Sequence, residues 1–384
     1  MSSTMNSIRD IIHRSRAYYC LDCGKCTGVC PVARVNHDFS PRSILMRTVQ
    51  KDYEAILQEK SVWECLTCGM CEQWCPAGIK YIRFMRDIRA MAIGHGQEAE
   101  CSHGGAFQSL MRMMTAPELK QNRMDWISPE EKISKTGDIF YFVGCAPFFD
   151  SFFEDLNVKT LDSARGVIHI LNKVGIKPVV SPEERCCGHD LLWAGDVDNF
   201  RKLAEHNVQV IEKSGAKKVV FSCPEGYQTF KQDYPEYIGP LKFDIAHISE
   251  FIAPYVESKE IKLPEIDKDV TFHDPCRLGR HLGVYDAPRQ ILKSIPKLNF
   301  VEMNHSRHRS VCCGVGNWLT CGAYTKMIQE KRLSEAHATG AKLMVTSCPK
   351  CEIHLKCALS DGKLSEKVDV EIQDLISLIT QAES

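Results

Sequence analysis

The rhythm of apolar and polar positions changes near residue 137. Before it, the apolar residues of "PRSILMRTVQKDYEAILQEKSVW" (Ile44, Leu45, Val49, Tyr53, Ile56 and Leu57) recur at helical spacing. The stretch "YIRFMRDIRAMAIG" repeats that period and predicts a helix ending at Gly94. The opening "MSSTMNSIRDIIHRSRAYY" predicts an amphipathic helix packed on the cysteine-rich segment after it. Segment 101–136 is polar and rich in Gly and Met, and reads as a linker with some helix. From residue 139, short β-branched or aromatic runs alternate with helical stretches. "IFYFVGC", "GIKPVVSPEERCCG" and "AKKVVFSCPEG" read as three strands, and "KDVTFHDPC", "LNFVEMNHSRHRSVCCG" and "GAKLMVTSCPKC" as three more. Such alternation predicts βαβ units around parallel sheets. The expected fold class is therefore α/β with an N-terminal all-α domain over residues 1–100. Two duplicated α/β lobes come next, at 137–256 and 266–384, joined by "ESKEIKLPEIDK".

Composition narrows the function. The 384 residues suffice for two or three domains, and 44% hydrophobic with 25% charged residues is an ordinary globular balance. Lys+Arg 48 against Asp+Glu 49 leaves no electrostatic footprint for nucleic acid or an anionic membrane. No run of apolar residues reaches transmembrane length, so no membrane span is expected. The N-terminal stretch lacks the apolar region of a secretory signal, and a cytoplasmic location is expected, with membrane association only through a partner. No dinucleotide fingerprint, phosphate loop or Ser–His–Asp arrangement stands out.

Twenty cysteines are the exception. In a long chain without a secretory signal they point to metal or redox chemistry rather than to disulfides. "CLDCGKCTGVCP" (Cys20–Pro31) and "CLTCGMCEQWCP" (Cys65–Pro76) share the spacing C-x2-C-x2-C-x3-C-P. Structural zinc usually takes two C-x2-C knuckles parted by a longer loop. The tighter run is that of bacterial ferredoxins, whose fourth cysteine ligates the other cluster of a pair. One [4Fe–4S] cubane is accordingly expected on Cys20, Cys23, Cys26 and Cys75, and a second on Cys65, Cys68, Cys71 and Cys30. Gly24 and Gly69 let the backbone curl around the sulfurs, and Pro31 and Pro76 turn the chain away. Residues 1–100 thus read as an α-helical ferredoxin domain.

The remaining cysteines repeat. Cys145, the pair Cys186–Cys187 and Cys223 recur as Cys276, the pair Cys312–Cys313 and Cys348, at offsets of 131, 126 and 125 residues. This spacing indicates an internal duplication. All are expected at carboxyl ends of strands, where open α/β sheets bind ligands.

The order C…CCG…CPxC, twice, behind two ferredoxin runs resembles the cysteine-rich CCG-domain proteins. Its best match is the D-type iron–sulfur subunit of heterodisulfide reductases, in which ferredoxin and CCG parts are fused in one chain. "HDPCRLGR", "SVCCGVG" and "VTSCPKCE" carry the likeness, which covers nearly the whole chain. The resemblance implies a noncubane [4Fe–4S] cluster held by five catalytic thiolates, Cys276, Cys312, Cys313, Cys348 and Cys351. The first copy departs from the pattern: Cys145, Cys186, Cys187 and Cys223 are present, but Gly226 stands where the last cysteine belongs. That site is expected to hold an altered cluster or to serve as scaffold alone.

The implied function is an oxidoreductase subunit that carries single electrons through two cubanes to a noncubane cluster that reduces a disulfide or equivalent acceptor. The alternative is a non-catalytic electron-transfer subunit of a glycolate, lactate or glycerol-3-phosphate type complex, or of another anaerobic reductase. Either way the expected partners are other subunits, one of them flavin-containing or a membrane cytochrome. His273, His281, His305 and His308 crowd near the second motif and read as loop residues or supports, because thiolates already saturate a cluster. Asp274 reads as a helix cap, Cys101 as an unliganded thiol, and Cys321 and Cys357 as buried small hydrophobes.

Overall fold

A computed structural model describes residues 7–381. They form two compact units, each built from three separate stretches of chain. The first contains residues 7–115, 188–202 and 311–329, and the second contains 116–187, 203–310 and 330–381.

The first unit is helical. Ser7 and Asp10 form a reciprocal cap that starts the Ile8–Ser15 helix, whose Ile11 and Ile12 are buried. That helix packs on the long Tyr81–Gly94 helix, which ends where the sequence places its stop. The periodic stretch after the first cysteine run becomes Pro41–Val49 and Tyr53–Leu57, with a short Ser61–Glu64 helix beginning at its end. The first two are parted at Lys51, whose φ of 74° is left-handed and cannot continue a helix. Segment 102–115 contributes an Ala106–Met113 helix, whose Phe107 stacks on Trp318 at 4.8 Å between ring centroids.

The second unit carries two parallel sheets. The first has β1 (Ile139–Phe142), β2 (Lys218–Phe221) and β3 (Asp244–His247) in the order β1-β2-β3. The second has β4 (Asp269–His273), β5 (Asn299–Phe300), β6 (Leu343–Thr346) and β7 (Glu371–Asp374) in the order β5-β4-β6-β7. Val179 pairs with Phe140 along the free edge of β1, in the place that β5 takes beside β4. The two sheets therefore share one strand order, which is the duplication seen in the cysteine spacing.

Two of the expected strands shrink. Val179 makes only isolated bridges, because Pro178 and Pro182 deny the edge its donors, and β5 is two residues long. Cys186–Cys187 and Cys312–Cys313 consequently lie in irregular loops well beyond any strand, not at strand ends as the sequence suggests. β3 and β7 were not among the expected strands.

One hydrophobic core joins the lobes. The Thr160–Lys173 helix of the first lobe packs on the Leu375–Gln381 helix of the second, and Ile248–Glu257 packs on Asp286–Lys293. The first pair meets at Gly166, where a Cβ would stand 2.7 Å from Thr380 Oγ1 and 2.9 Å from Ile376 Cγ2. Ser163 Oγ donates to the buried Asp374 carboxylate at 2.7 Å in the same contact. Gly166→Val is expected to lower unfolding stability by about 1–3 kcal/mol, read by anaerobic denaturant titration, since inserted carbon forces packed elements apart. Unchanged stability would show that the two helices do not approach so closely.

Candidate metal centre

The N-terminal thiols are gathered by two short, equivalent pieces of chain. Lys25–Val29 holds Cys26, Met70–Gln73 holds Cys71, and the two helices pack on each other. Each begins at a left-handed glycine, Gly24 with φ 74° or Gly69 with φ 80°. Each is preceded by a left-handed non-glycine at the same place, Asp22 or Thr67. That curl turns backbone amides inward: Thr67 N–H donates to Cys65 Sγ at 3.4 Å, and Ile79 N–H donates to Cys75 Sγ at 3.4 Å.

Buried Arg89 fixes the second run. Its guanidinium donates to the carbonyls of Val62, Trp63 and Cys65 at 2.9, 3.2 and 2.6 Å, and to Trp193 O at 2.9 Å. These partners lie on two stretches of the first unit, 62–65 and Trp193, so one side chain satisfies several otherwise orphaned carbonyls.

Each buried thiol has others around it. Cys26 is pushed up first by burial, with Cys20 and Cys75 adding to it. Cys30 is pushed up by burial and then by Cys68, and Cys65 also acts on it. A cavity lined by Cys20, Cys23, Cys26 and Cys75, together with Cys71, Leu45 and Ile79, opens on the first set. Cys23 is exposed, whereas Cys30, Cys65 and Cys68 are buried.

In the second unit the two C-P-x corners occupy equivalent places, each after a central strand. Cys223 stands before the Pro224–Gln228 helix and Cys348 before the Pro349–Leu359 helix. Their middle residues meet: Lys350 Nζ and Glu225 Oε2 form a buried ion pair at 2.5 Å. Cys351 is buried on the first turn, and a ring nitrogen of His273 lies within 4.8 Å of its sulfur. Cys276 lies in the turn after β4. Cys145 Sγ is 3.5 Å from Cys186 Sγ, and Cys186 and Cys187 are buried. Cys312 and Cys313 are also buried, on the 311–329 stretch of the first unit, with Gly314 N–H donating to Cys312 Sγ at 3.4 Å. None of the twenty cysteines forms a disulfide.

The corners differ in chemistry. Phe142 pairs with Phe221 in the first sheet, where His273 pairs with Thr346 in the second. Phe230 joins both phenylalanines at 4.9 Å between ring centroids. A Cβ at Gly226 would stand 3.3 Å from the Phe221 ring, so the position of a fifth thiol is crowded by an aromatic wall. On the other side, Arg332 Nε donates to His273 Nδ1 at 2.9 Å, which leaves that ring neutral with its proton on Nε2. Asp274 is no helix cap. It forms a bidentate pair with Arg289 at 2.7 and 2.9 Å and accepts from Arg307 N–H at 2.7 Å. His305 binds Glu335 at 2.8 Å, and Cys321 is exposed rather than buried.

The model of the cysteine-rich CCG domain matches residues 139–231 and 270–356, and that of the 4Fe-4S dicluster domain matches residues 16–79. The D-type subunit of the dihydromethanophenazine:CoB–CoM heterodisulfide reductase of Methanosarcina barkeri is 36% identical over 316 residues, 80% of this chain and 74% of the relative. Its Methanosarcina mazei counterpart is 37% identical over 286 residues, 72% and 67% of the two chains. The chain belongs to the CCG-domain iron–sulfur family of D-type heterodisulfide reductase subunits. It is an oxidoreductase-type iron–sulfur subunit of a heterodisulfide reductase-like system. A hypothetical protein from Helicobacter pylori has a related fold, with a TM-score of 0.54 and 11% identity over 89% of this chain and 67% of that one.

Members of this family bind iron–sulfur clusters, and the N-terminal residues fit them on an independent ground. Tyr81 lines the thiol cavity, and its buried hydroxyl has no hydrogen-bond partner among the described residues. Burial, then the thiols of Cys65 and Cys71, push its ionisation well up, so it keeps its proton and remains a donor. A buried orphan donor costs about 1–3 kcal/mol, which a cluster sulfur beside it would offset. Hydrogen bonds to cluster sulfurs stabilise the more negative, reduced state. Tyr81→Phe is therefore expected to lower the midpoint potential of an N-terminal cluster in a spectroscopic redox titration. An unshifted potential at full iron content would exclude that hydrogen bond.

Proposed function

We propose that this subunit passes electrons singly through two N-terminal cubanes to a five-thiolate centre in the second lobe, where a disulfide is reduced. Cys20, Cys23, Cys26 and Cys75 hold one cubane, and Cys65, Cys68, Cys71 and Cys30 the other. Cys276, Cys348 and Cys351, completed by Cys312 and Cys313, hold the noncubane cluster. When bound, such clusters supply the one-electron chemistry that thiolates and imidazoles lack.

The observation that carries this reading is the inequality of the two C-P-x corners. The second offers Cys351, neutral His273 and Thr346, while the first offers Gly226 against Phe221 and Phe142. In the second lobe Lys350 stands between Cys348 and Cys351 in sequence and is paired with Glu225 of the first. Cys145, Cys186, Cys187 and Cys223 then serve as a folded remnant of the same motif, without a five-thiolate centre. Reduction of a disulfide consumes two electrons and two protons, breaks the S–S bond and releases two thiols. The Methanosarcina relatives are named for a CoB–CoM heterodisulfide, and a mixed disulfide of small thiols is the substrate class we assign here. Because those relatives are named as subunits, a flavin-containing or cytochrome subunit is the proposed partner, and contact with a membrane runs through it. Among the described residues, no helix is long and apolar enough to cross a membrane.

The test compares the two lobes in the anaerobically loaded full chain. Cys312→Ser or Cys313→Ser is expected to abolish the paramagnetic signal seen after mild oxidation, and disulfide reduction driven by reduced methyl viologen with it. Cys186→Ser or Cys187→Ser should leave the signal largely intact. Loss of the signal in the first-lobe variants alone would place the centre in the wrong lobe. A wild-type chain that cycles its clusters but cleaves no disulfide would be an electron relay.

A further inference from the structure

The exposed apolar side chains of the protein are not scattered. Among the described residues, four of the eight large hydrophobic side chains at the surface are neighbours in sequence of two cysteines assigned to one cluster. Tyr18, Tyr19 and Leu21 flank Cys20 at 62%, 65% and 67% exposure, and Trp74 precedes Cys75 at 44%. Cys23 of the same set is itself exposed, whereas three of the four thiols of the second set are buried. Exposed large apolar side chains gathered in this way mark interaction sites.

The charges around it are mainly positive, with Asp22 paired to Arg42. Arg16 lies over the Tyr19 ring at 5.4 Å, and its Nη1 would stand 3.8 Å from a Cβ at Gly78. Lys25 and Arg42 line the thiol cavity. Of these three cations only Arg42 has a carboxylate partner among the described residues, Asp22 at 2.9 Å. A face with an apolar centre, a cationic rim and a redox centre just beneath suits brief, steered encounters with a carboxylate-rich partner.

We propose that the surface formed by Tyr18, Tyr19, Leu21 and Trp74, with Arg16 and Lys25 at its rim, is the docking site for an acidic electron-carrier protein. Each encounter moves one electron: the carrier is oxidised by one, and the chain is reduced by one. The proposal rests on the reading that the N-terminal thiols hold the electron-entry clusters, and it adds where the donor binds and what its face must carry.

The test measures how fast the anaerobically loaded full chain is reduced by a reduced, acidic bacterial ferredoxin. Reduction by methyl viologen radical, which needs no protein docking, serves as the parallel measurement. The ferredoxin rate is expected to fall as ionic strength rises. It is expected to drop at least about tenfold in Arg16→Glu/Tyr18→Ser and in Tyr18→Ser/Tyr19→Ser, with iron content and the viologen rate unchanged. Met113→Ser, which removes another exposed hydrophobic side chain, should leave both rates unchanged. A ferredoxin rate insensitive to salt and to both double variants would overturn the docking site. Failure of the cluster assignment itself would show differently, as lost iron and a lost viologen rate. Faster ferredoxin reduction after deletion of residues 1–6 would mean that the chain covers this face itself. A dimer dispersed by Leu21→Ser in sedimentation would assign the face to a second copy. Either result would overturn the proposal.

Discussion

Crowded, buried thiols are the constraint on which the rest of this structure depends. A sulfur that ligates iron must lose its proton, yet burial pushes Cys30 and Cys71 the other way, and neighbouring thiols add to the effect on each. Iron binding must displace those protons, so cluster loading is coupled to the state of the fold around them. The local architecture serves that end. Left-handed residues before each short helix turn amides toward sulfur, and Arg89 ties the backbone of the second run to the first unit's core.

Duplication supplies the second theme. The lobes repeat one strand order, and two equivalent helix pairs close the core between them. Repetition of a fold does not require repetition of its chemistry. At corresponding registers the first lobe carries Phe142 and Phe221 and the second carries His273 and Thr346, so one corner has become packing while the other has stayed polar. The Glu225–Lys350 pair joins the corners, with the acid in the lobe that lacks a fifth thiol and the base in the lobe that keeps it. Breaking such a buried pair by removing one partner is costly, so the pair ties one corner to the other.

Much of this was legible in the sequence, because ligand spacing is rigid chemistry. C-x2-C-x2-C-x3-C-P dictates which thiols share a face, and the strands beginning at Ile139, Lys218, Asp269 and Leu343 announce themselves by β-branched and aromatic runs. β3 and β7 were hidden because "DIAH" and "EIQD" are short and half polar, and their places depend on register with β2 and β6. The stretches 188–202 and 311–329, which lie at or just beyond the two Cys-Cys-Gly turns and belong to the helical unit, carry no local signal of that membership. Nor could Tyr81 be singled out. Its importance comes from a hydroxyl that tertiary packing has left without a partner among the thiols.

The central claim is that two equivalent folds hold unequal centres. Native mass spectrometry of the anaerobically purified full chain counts the iron directly. Two cubanes and one noncubane cluster predict about twelve irons per chain, four to each cluster. About sixteen, reporting a fourth cluster in the first lobe, would contradict the account.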